Sequence, residues 1–348
     1  MNRKKKELWY LREEWRMRVV DGKKEIQIAV LGLGTVGKGV RHVIEENSRG
    51  IEEHIFRKTG NRCRIKIKKI LVHKTPEDTQ GGLLTTDFSE IESDQDIQIV
   101  VELIGGMEAA TEYMCRALEA GKHVVTANKL AVAKSDGRFE RLSREKNCQF
   151  KYEASVAGAI PIIRVMEESL GANRISRVSG ILNGTTNYIL SKMYEEDKEF
   201  EQALEDAQEL GYAEKNADLD ISGKDAMYKI AILANLFDGK WVNLDAVKRV
   251  GIEDIRLEDI NAAKKAGVVI KHIAECHYEN GELKLSVQPV GLPKNHPFAK
   301  VNGAENAVIV SCDSAGEVVL QGKGAGSLPT ASAVVADIMA VAEKILEE

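Results

Sequence analysis

A glycine turn near the start of the chain constrains its fold more than any other sequence feature. The apolar run IQIAVL is followed by GLGTVG, residues 32–37, and then by a segment of helical character. In such a turn the first glycine permits a tight bend, the second lets a ligand approach the backbone, and the third lets helix and strand pack closely. The N-terminus of the following helix, which is partly positive, then faces the negative charge of the ligand. The pattern predicts a dinucleotide-binding turn, with a strand–helix turn that binds no ligand as the alternative. The candidate cofactor contacts are Gly32, Gly34, Thr35, Val36 and Gly37.

Strand-like and helix-like segments alternate through the first half of the chain. The predicted strands are at residues 64–72, 97–104, 122–127 and 148–155, and the helical stretches at 107–121 and 138–147. This alternation predicts a Rossmann-type, doubly wound parallel sheet of the α/β class. After residue 152 come longer helical segments and then two hairpin-like strand pairs, at 268–290 and 306–322. They predict a second domain of the α+β type.

These patterns predict two domains. We expect a dinucleotide-binding domain over residues 25–152 and a substrate-binding and dimerisation domain over residues 153–322. The segment 323–348 has an apolar stripe and Pro329 near its start, which is a favoured position in the first turn of a helix. We expect this helix to complete the first domain.

An N-terminal extension, residues 1–24, precedes the first domain. Leu8, Leu11, Trp15 and Val19 recur there at helical spacing. This stripe predicts a short amphipathic helix that docks on the protein or on a second subunit.

The charge balance and the cysteines narrow the classes of partner. The net charge is −5, whereas a nucleic-acid-binding surface normally leaves a basic excess. The basic first residues lack the apolar run of a signal peptide, and no stretch reaches the roughly 18 apolar residues of a membrane-spanning helix. The five cysteines are widely spaced and include no CxxC pair, which is typical of reduced thiols. We therefore expect a cytoplasmic protein with a small-molecule ligand, and neither nucleic acid nor membrane as a partner.

The end of the second predicted strand bears on the choice of cofactor. An NAD site usually has an acidic residue there for the ribose hydroxyls, whereas a basic residue suits the 2′-phosphate of NADP. This strand ends in VHKT, residues 72–75, without a carboxylate. The pattern favours NADP over NAD, with Lys74 as the candidate contact. The alternative role of Lys74 is that of a solvated surface lysine.

Carbonyl reduction by a nicotinamide cofactor needs a proton donor beside the oxygen. The best candidates lie in YAEKNADLDISGKDAMYK, residues 212–229. Asp225 and Lys229 are four residues apart, so they share a helix face on which the carboxylate can hold the ammonium. Glu214 and Asp220 precede them, and such a concentration of carboxylates suits a cationic substrate. A solvated polar helix face is the alternative interpretation.

Two further polar segments are candidate ligand sites. TANK follows the strand KHVV, so Thr126 and Lys129 fall where ligands of parallel sheets bind, unless Asn128 merely caps a helix. The string NGTTN, residues 183–187, has more hydrogen-bonding groups than a turn needs, which predicts a ligand. The cysteines lie within or beside predicted strands and helices, whereas a reactive thiolate needs a loop or a helix start. Alcohol–aldehyde interconversion is therefore favoured over acyl chemistry.

These motifs together resemble the homoserine dehydrogenase family. GLGTVG, ELIGG, TANK, EASVAGAIPI, GILNGTTNYIL and GKGAGSLPTASAV occur in that family's order, and the resemblance spans about residues 26–338. It implies NAD(P)-dependent interconversion of L-aspartate 4-semialdehyde and L-homoserine, in threonine and methionine biosynthesis, by a homodimer.

The resemblance also implies roles for individual residues. Lys229 matches the family's proton donor, Lys129 a catalytic and substrate-binding group, and Asp220 and Asp225 their supporting acids. The implied substrate contacts are Glu214, Lys129, Asn183, Gly184, Thr185 and Tyr212. Further implied cofactor contacts are Gly105, Thr126, Lys129 and Gly326. Sodium or potassium is implied at Glu153, together with the backbone oxygens of Val156, Gly158 and Ile160.

Two positions depart from the family's usual pattern. The loop EKNA, residues 214–217, stands where the family usually reads Glu-Ala-Asp-Pro, so one carboxylate and a proline are missing. The usual Gly-Gly before Ile-Pro is Gly158-Ala159, and a positive φ at the second position would strain its methyl group. Because of the altered loop, a related dehydrogenase that acts on another amino or hydroxy substrate is an alternative function. A nucleotide-binding regulator without turnover is the remaining alternative.

Overall fold

The structure is a computed structural model that describes residues 18–20, 22–74, 82–239 and 241–348. These residues form two compact units. The first unit contains the described chain up to Ala131, residues 137–152 and the segment from Val334 onward, and the second contains residues 132–136 and 153–333. The last strand of the second unit pairs with a neighbour of the same unit up to Lys323.

A parallel sheet forms the centre of the first unit. Its strands are β1 (Arg18–Val20), β2 (Lys23–Leu31), β3 (Cys63–Leu71), β4 (Leu84–Thr85), β5 (Ile97–Glu102), β6 (His123–Thr126) and β7 (Phe150–Lys151). The order is β4-β3-β2-β5-β6-β7 with parallel neighbours, and β1 pairs antiparallel with the start of β2. The chain moves outward from β2 and then returns to its other side with β5. The carboxyl ends of β2 and β5 therefore form the switch point at which such sheets bind ligands.

Helices connect these strands, as the alternating pattern predicts. They are α1 (Thr35–Glu46), α2 (Ser48–Thr59), α3 (Ser89–Glu92), α4 (Glu108–Glu119), α5 (Lys129–Ala133) and α6 (Arg138–Lys146). Every residue of β5 is buried, which explains why the central strands appear in the sequence as nearly continuous apolar runs. The doubly wound α/β fold is confirmed.

A mixed sheet forms the centre of the second unit. Its strands are β8 (Ile175–Ile181), β9 (Lys248–Arg249), β10 (Val268–Glu279), β11 (Glu282–Pro293), β12 (Glu305–Cys312) and β13 (Gly316–Lys323). The order is β13-β12-β8-β10-β11-β9. The two predicted hairpins are the antiparallel pairs β10–β11 and β12–β13, and β8 lies between them.

Helices of the second unit pack beside this sheet. They are α7 (Ile162–Arg164), α8 (Gly184–Glu196), α9 (Phe200–Glu209), α10 (Asp218–Ile221), α11 (Lys224–Asp238) and α12 (Leu257–Lys265). A π-helical turn, Val165–Ser169, continues α7. The final helix, α13 (Ser327–Glu347), begins in the second unit and ends in the first. The side chains of Tyr188, Met193, Phe200 and Ile260 form a buried apolar cluster that joins α8, α9 and α12.

Two local predictions are wrong. The strand expected at 148–155 is limited to β7, because the chain turns into a 3-10 helix at Glu153–Ser155. Residues 18–20 form β1 rather than the end of an amphipathic helix, because their backbone pairs with Lys23–Glu25 of β2. The rest of that predicted stripe, Leu8, Leu11 and Trp15, lies outside the described residues. Within the part of the chain that the structure describes, every helix is too short or too polar to cross a membrane.

Candidate active site

The glycine turn between β2 and α1 is closely packed on two sides. A Cβ atom on Gly37 would lie 2.2 Å from the oxygen of Gly32, and one on Gly32 would lie 2.9 Å from the oxygen of Leu103. By contrast, a Cβ atom on Gly34 would meet nothing within 4 Å, and Gly34, the N-cap of α1, has no side chain that could cap the first amides of the helix. The helix begins with Thr35 and Val36. The turn thus has the open space and the helix N-terminus that a diphosphate needs.

Strand β3 ends beside this turn. The amide of Gly32 donates to the oxygen of Leu71, with 2.9 Å between the atoms. His73 and Lys74 follow and are exposed. Lys74 therefore lies at the carboxyl end of the strand next to the turn, where a dinucleotide's adenosine ribose is recognised in folds of this kind.

The loops after β5 and β6 are joined by Glu102, which was not among the predicted site residues. Its Oε1 accepts the backbone N–H groups of Ile104 (2.9 Å) and Gly105 (3.3 Å). Its Oε2 accepts the hydroxyl of Thr126 at 2.6 Å. Asn128 caps α5, because its Oδ1 accepts the N–H of Ala131 at 3.0 Å. The predicted cofactor residues Gly105 and Thr126 are thus part of one hydrogen-bonded group.

Lys129 and Gly326 belong to different units. Lys129 is the first residue of α5 and is partly buried. Gly326 has a φ of +115° and precedes α13, and its oxygen accepts the N–H of Thr330. Glycine is the residue that adopts this conformation without strain.

Lys229 lies in a buried polar cluster of the second unit. Its Nζ is 2.7 Å from Oδ2 of Asp225, one helical turn earlier on α11, and donates to the oxygen of Leu182 at 2.7 Å. The Asp225 and Lys229 side chains are only 4% and 11% exposed. Asn183 donates from Nδ2 to Oδ1 of Asp220 (2.7 Å) and to Oδ2 of Asp225 (2.9 Å). The structure therefore brings together the predicted proton donor and both predicted supporting acids.

The NGTTN string forms the start of α8. Asn183 is the N-cap, and its Oδ1 accepts the N–H of Thr186 at 2.8 Å. The hydroxyl of Thr185 donates to the oxygen of Tyr212 (2.6 Å) and lies 3.2 Å from Oδ2 of Asp220. A Cβ atom on Gly184 would lie 2.7 Å from the oxygen of Ala304, so only glycine fits there. Much of the string's hydrogen-bonding capacity is therefore used within the protein.

The last residue of the string, Asn187, serves a different lysine. Its Nδ2 donates to the oxygens of Val301, Gly303 and Glu305 at 2.9 to 3.1 Å. Its Oδ1 accepts from Lys271 at 3.0 Å, and this lysine also donates to Val301 and to Asn302. Lys271 is 1% exposed, and burial lowers its pKa to about 8.

The loop before α10 carries the predicted substrate contacts Tyr212 and Glu214. Both side chains are exposed, and the Tyr212 ring packs against Tyr188 with 5.1 Å between ring centroids. Asn216, at the position of the missing carboxylate, accepts the N–H of Asp218 through Oδ1 at 3.0 Å. Since aspartate makes the same turn, the exchange of this carboxylate for an amide does not by itself require a different local backbone.

His272, beside Lys271 on β10, supports the start of α11. Its Nε2 is 3.0 Å from the oxygen of Val250, and a Cβ atom on Gly223, the N-cap of α11, would lie 3.0 Å from its Cε1. Burial lowers the pKa of His272 to about 4. The ring is therefore neutral at ordinary pH and donates from Nε2.

The segment implied as a cation site is a tight loop of the second unit. The carboxylate of Glu153 accepts the N–H groups of Ile163 and Arg164, both at 2.8 Å. Positive φ angles occur at Ala157 (55°) and Gly158 (57°). The condition for strain at Ala159 is therefore not met, because the left-handed residue with a methyl group is Ala157, two positions earlier. A Cβ atom on Gly158 would lie 2.5 Å from the carbonyl carbon of Gly324, so glycine is required there.

Four of the five cysteines have the properties expected of unreactive thiols. Burial raises the pKa of Cys63 to about 11 and that of Cys276 to about 12, and it also raises the pKa of Cys115 and Cys312. A thiolate nucleophile needs a lowered pKa. Acyl chemistry through these four thiols is therefore disfavoured.

Two buried charged residues that were missed share one sequence signal. Glu102 and Lys271 are charged residues inside apolar strand segments, IQIVVELI and VVIKHIAEC. A charged residue at such a position is buried and must have hydrogen-bonding partners. The partners themselves, Thr126 and Asn187, lie too far away in the sequence to be identified from it.

Family models match both units. Residues 32–153 match the NAD-binding domain of homoserine dehydrogenase, and residues 161–339 match the homoserine dehydrogenase model. The homoserine dehydrogenase of Bacillus subtilis (strain 168) is 41% identical over 322 residues, which are 91% of this chain and 73% of that protein.

Solved structures give the same result. A homoserine dehydrogenase from Thiobacillus denitrificans is 40% identical with a TM-score of 0.87, over 93% of this chain and 74% of that one. A hyperthermophilic archaeal homoserine dehydrogenase in complex with NADPH is 28% identical with a TM-score of 0.77, over 92% of this chain and 98% of that one. Fold and sequence therefore agree on one family.

Proposed function

The chain belongs to the homoserine dehydrogenase family, and from this premise we propose that Lys229 delivers the proton when L-aspartate 4-semialdehyde is reduced to L-homoserine. Homoserine dehydrogenase is an oxidoreductase, and its nicotinamide cofactor supplies the hydride when bound. The observation that carries the proposal is the buried cluster in which Asp225 and the oxygen of Leu182 hold the Lys229 ammonium.

The cluster orients Lys229 before a substrate binds. Two acceptors fix the direction of the ammonium, and hydride addition to an aldehyde makes its oxygen strongly basic. An ammonium beside that oxygen stabilises the developing negative charge and then protonates it. In the oxidation direction the neutral amine accepts the hydroxyl proton, and Asp225 stabilises the ammonium that forms.

We infer that Asn183 positions the acids. Both hydrogens of its side-chain amide are donated to Asp220 and Asp225, so the residue keeps two like charges apart and oriented. Glu214, which is exposed on the loop, is the candidate partner for the substrate ammonium. Lys129 stays assigned to substrate, cofactor and catalysis on the resemblance alone.

We propose NADPH as the preferred cofactor, with NADH as the alternative. The support is the exposed Lys74 at the end of β3, together with an archaeal relative described in complex with NADPH. If Lys74 contacts the 2′-phosphate, the parent protein binds NADPH more tightly than NADH, and Lys74→Glu reduces that ratio by about tenfold or more, as expected for a charge-assisted contact. Equal dissociation constants of the two nucleotides in the parent protein would refute the assignment.

A monovalent cation fits the chemistry of the loop that contains Glu153. Glu153 and the backbone oxygens of Val156, Gly158 and Ile160 offer only oxygen donors, as hard cations prefer. The carboxylate already caps α7, so sodium or potassium would join existing contacts and stabilise the loop. We also propose a homodimer in the cytoplasm.

One assay tests the activity directly. Purified protein is mixed with L-aspartate 4-semialdehyde and NADPH or NADH, and nicotinamide absorbance is followed in both directions. Consumption of NADPH that depends on the semialdehyde is expected. Firm NADPH binding without turnover of either the semialdehyde or L-homoserine would contradict the proposed function.

A further inference from the structure

Glu102 is a buried carboxylate at the end of a strand, where a neutral residue would pack at lower cost. It is 0% exposed, and burial raises its pKa. Burying a carboxylate is unfavourable unless hydrogen bonds compensate. Here the compensation comes from three neutral donors, the amides of Ile104 and Gly105 and the hydroxyl of Thr126.

Those donors lie on two different loops. Ile104 and Gly105 belong to the loop after β5, and Thr126 ends β6 directly beside Glu102 in the parallel register. The Thr126 Oγ in turn accepts the N–H of Asn128 at 2.9 Å, and the Asn128 side chain donates to the oxygen of Gly106 at 2.8 Å. The two loops are thus joined in a closed ring of hydrogen bonds.

The same ring borders the glycine turn. The oxygen of Leu103, the first residue after Glu102, lies where a Cβ atom on Gly32 would be 2.9 Å away. A movement of the loop after β5 would therefore either press on the turn or open a gap beside it. Asn128, at the other end of the ring, immediately precedes Lys129.

We propose that Glu102 is a positioning residue that holds the loops after β5 and β6 in the conformation that binds the nicotinamide cofactor and aligns Lys129. The second part rests on the proposed function of this site. The first part concerns cofactor binding alone. Because the ring has members on both loops, loss of the carboxylate releases both together.

The test compares Glu102→Ala with Gln98→Ala. Gln98 lies on the same strand, is also buried, and its Oε1 accepts the N–H of Gln27 at 2.9 Å, at the end of β5 away from the loops. NADPH binding is measured by nicotinamide fluorescence, stability by thermal unfolding, and turnover with the semialdehyde. Glu102→Ala should weaken NADPH binding at least tenfold and lower kcat about 100-fold, as misplacement of reacting groups does. Gln98→Ala should lose stability only.

Conservative variants separate positioning from general stability. Glu102→Gln keeps an acceptor for the two amides and a polar partner for Thr126, so it should recover at least half of the lost binding free energy. Thr126→Val breaks the ring at one point and should lower the affinity for NADPH even if Glu102→Ala fails to fold. Wild-type affinity in Thr126→Val, or equal losses of affinity in Glu102→Ala and Gln98→Ala, would overturn the proposal. If the parent protein binds NADPH but turns over no semialdehyde, the proposed function fails while the binding comparison still decides the role of Glu102.

Discussion

The second unit contains the buried lysines Lys229 and Lys271. They lie beside opposite ends of the NGTTN string, residues 183–187. Lys229 is paired with the carboxylate of Asp225, which Asn183 holds. Lys271 is surrounded by neutral acceptors, including the side chain of Asn187 and the oxygen of Val301. The first asparagine of the string, Asn183, thus holds the partner of Lys229, and the last, Asn187, contacts Lys271 directly.

The difference between the two surroundings indicates different roles. A carboxylate beside an ammonium tunes its basicity and stabilises its charge during proton transfer. Neutral acceptors on a loop, as around Lys271, use the ammonium to hold that loop in place. Its acceptors on Asn187, Val301 and Asn302 are amide or backbone oxygens, which do not exchange protons at ordinary pH. We expect Lys229 to affect rate as well as stability, and Lys271 to affect stability alone.

The largest expected effect comes from Lys229→Ala. If this lysine donates the proton, kcat should fall by roughly 10²- to 10⁴-fold, the usual contribution of a positioned acid or base. NADPH binding should change little, whereas the unfolding midpoint should fall, because the variant removes the buried cation that faces Asp225. Steady-state kinetics with semialdehyde and NADPH measure the effect, and a kcat within threefold of the parent would remove Lys229 from the chemistry.

A pH dependence of stability tests whether His272 supports the start of α11. The pKa of His272 is about 4 in the folded protein, whereas an exposed histidine, as in the unfolded chain, has a pKa of 6.5. Between these two pH values the unfolded chain binds the proton and the folded chain does not. Stability from this residue is thus present above about pH 6.5 and is lost as the pH falls towards 4, on the order of 3 kcal/mol in total. Urea unfolding of the parent and of His272→Gln, at pH 7 and pH 4.5, measures the difference. The same pH dependence in both proteins would contradict this account.

A smaller effect is expected for Lys271→Met. Removing the ammonium takes its donor from Oδ1 of Asn187 and from Oδ1 of Asn302, and one of two donors from the oxygen of Val301. This loss should cost about 1–3 kcal/mol of unfolding free energy. Lys248→Met, at an exposed position on β9, is the control and should change stability by less than about 0.5 kcal/mol. Turnover per folded molecule should be nearly unchanged in both. A large loss of kcat in Lys271→Met, with stability intact, would reverse the distinction between the two lysines.

The smallest expected effect is that of Asn216→Asp. Both residues accept the Asp218 N–H in the same turn, so stability should stay within about 0.5 kcal/mol. Because the side chain is exposed, the added charge should change the KM for L-homoserine by less than about threefold, as expected when solvent screens a charge. A rise in L-homoserine oxidation well above threefold would show that the missing carboxylate limits the activity of the site around Lys229.

The fold could be predicted from sequence because its signals are local. The glycine spacing, the apolar strands and the alternation with helices are each read within about a dozen residues. The pairing of Asp225 with Lys229 was predictable for the same reason, since residues four apart share a helix face. Prediction was wrong at β7 and β1, where backbone pairing and a 3-10 turn override local propensity.

The sequence by itself determined the order of the elements, the family and the residue types available for chemistry. Only the tertiary structure decided which of them meet. Asn183 reaches Asp220 and Asn187 reaches Lys271 across long stretches of chain, and Glu102 faces Thr126 because of strand register. The tertiary structure also decided that Ala157, and not Ala159, has a positive φ. Such contacts depend on strand order, register and loop closure, which are properties of the whole fold and are not encoded in the spacing of any short segment.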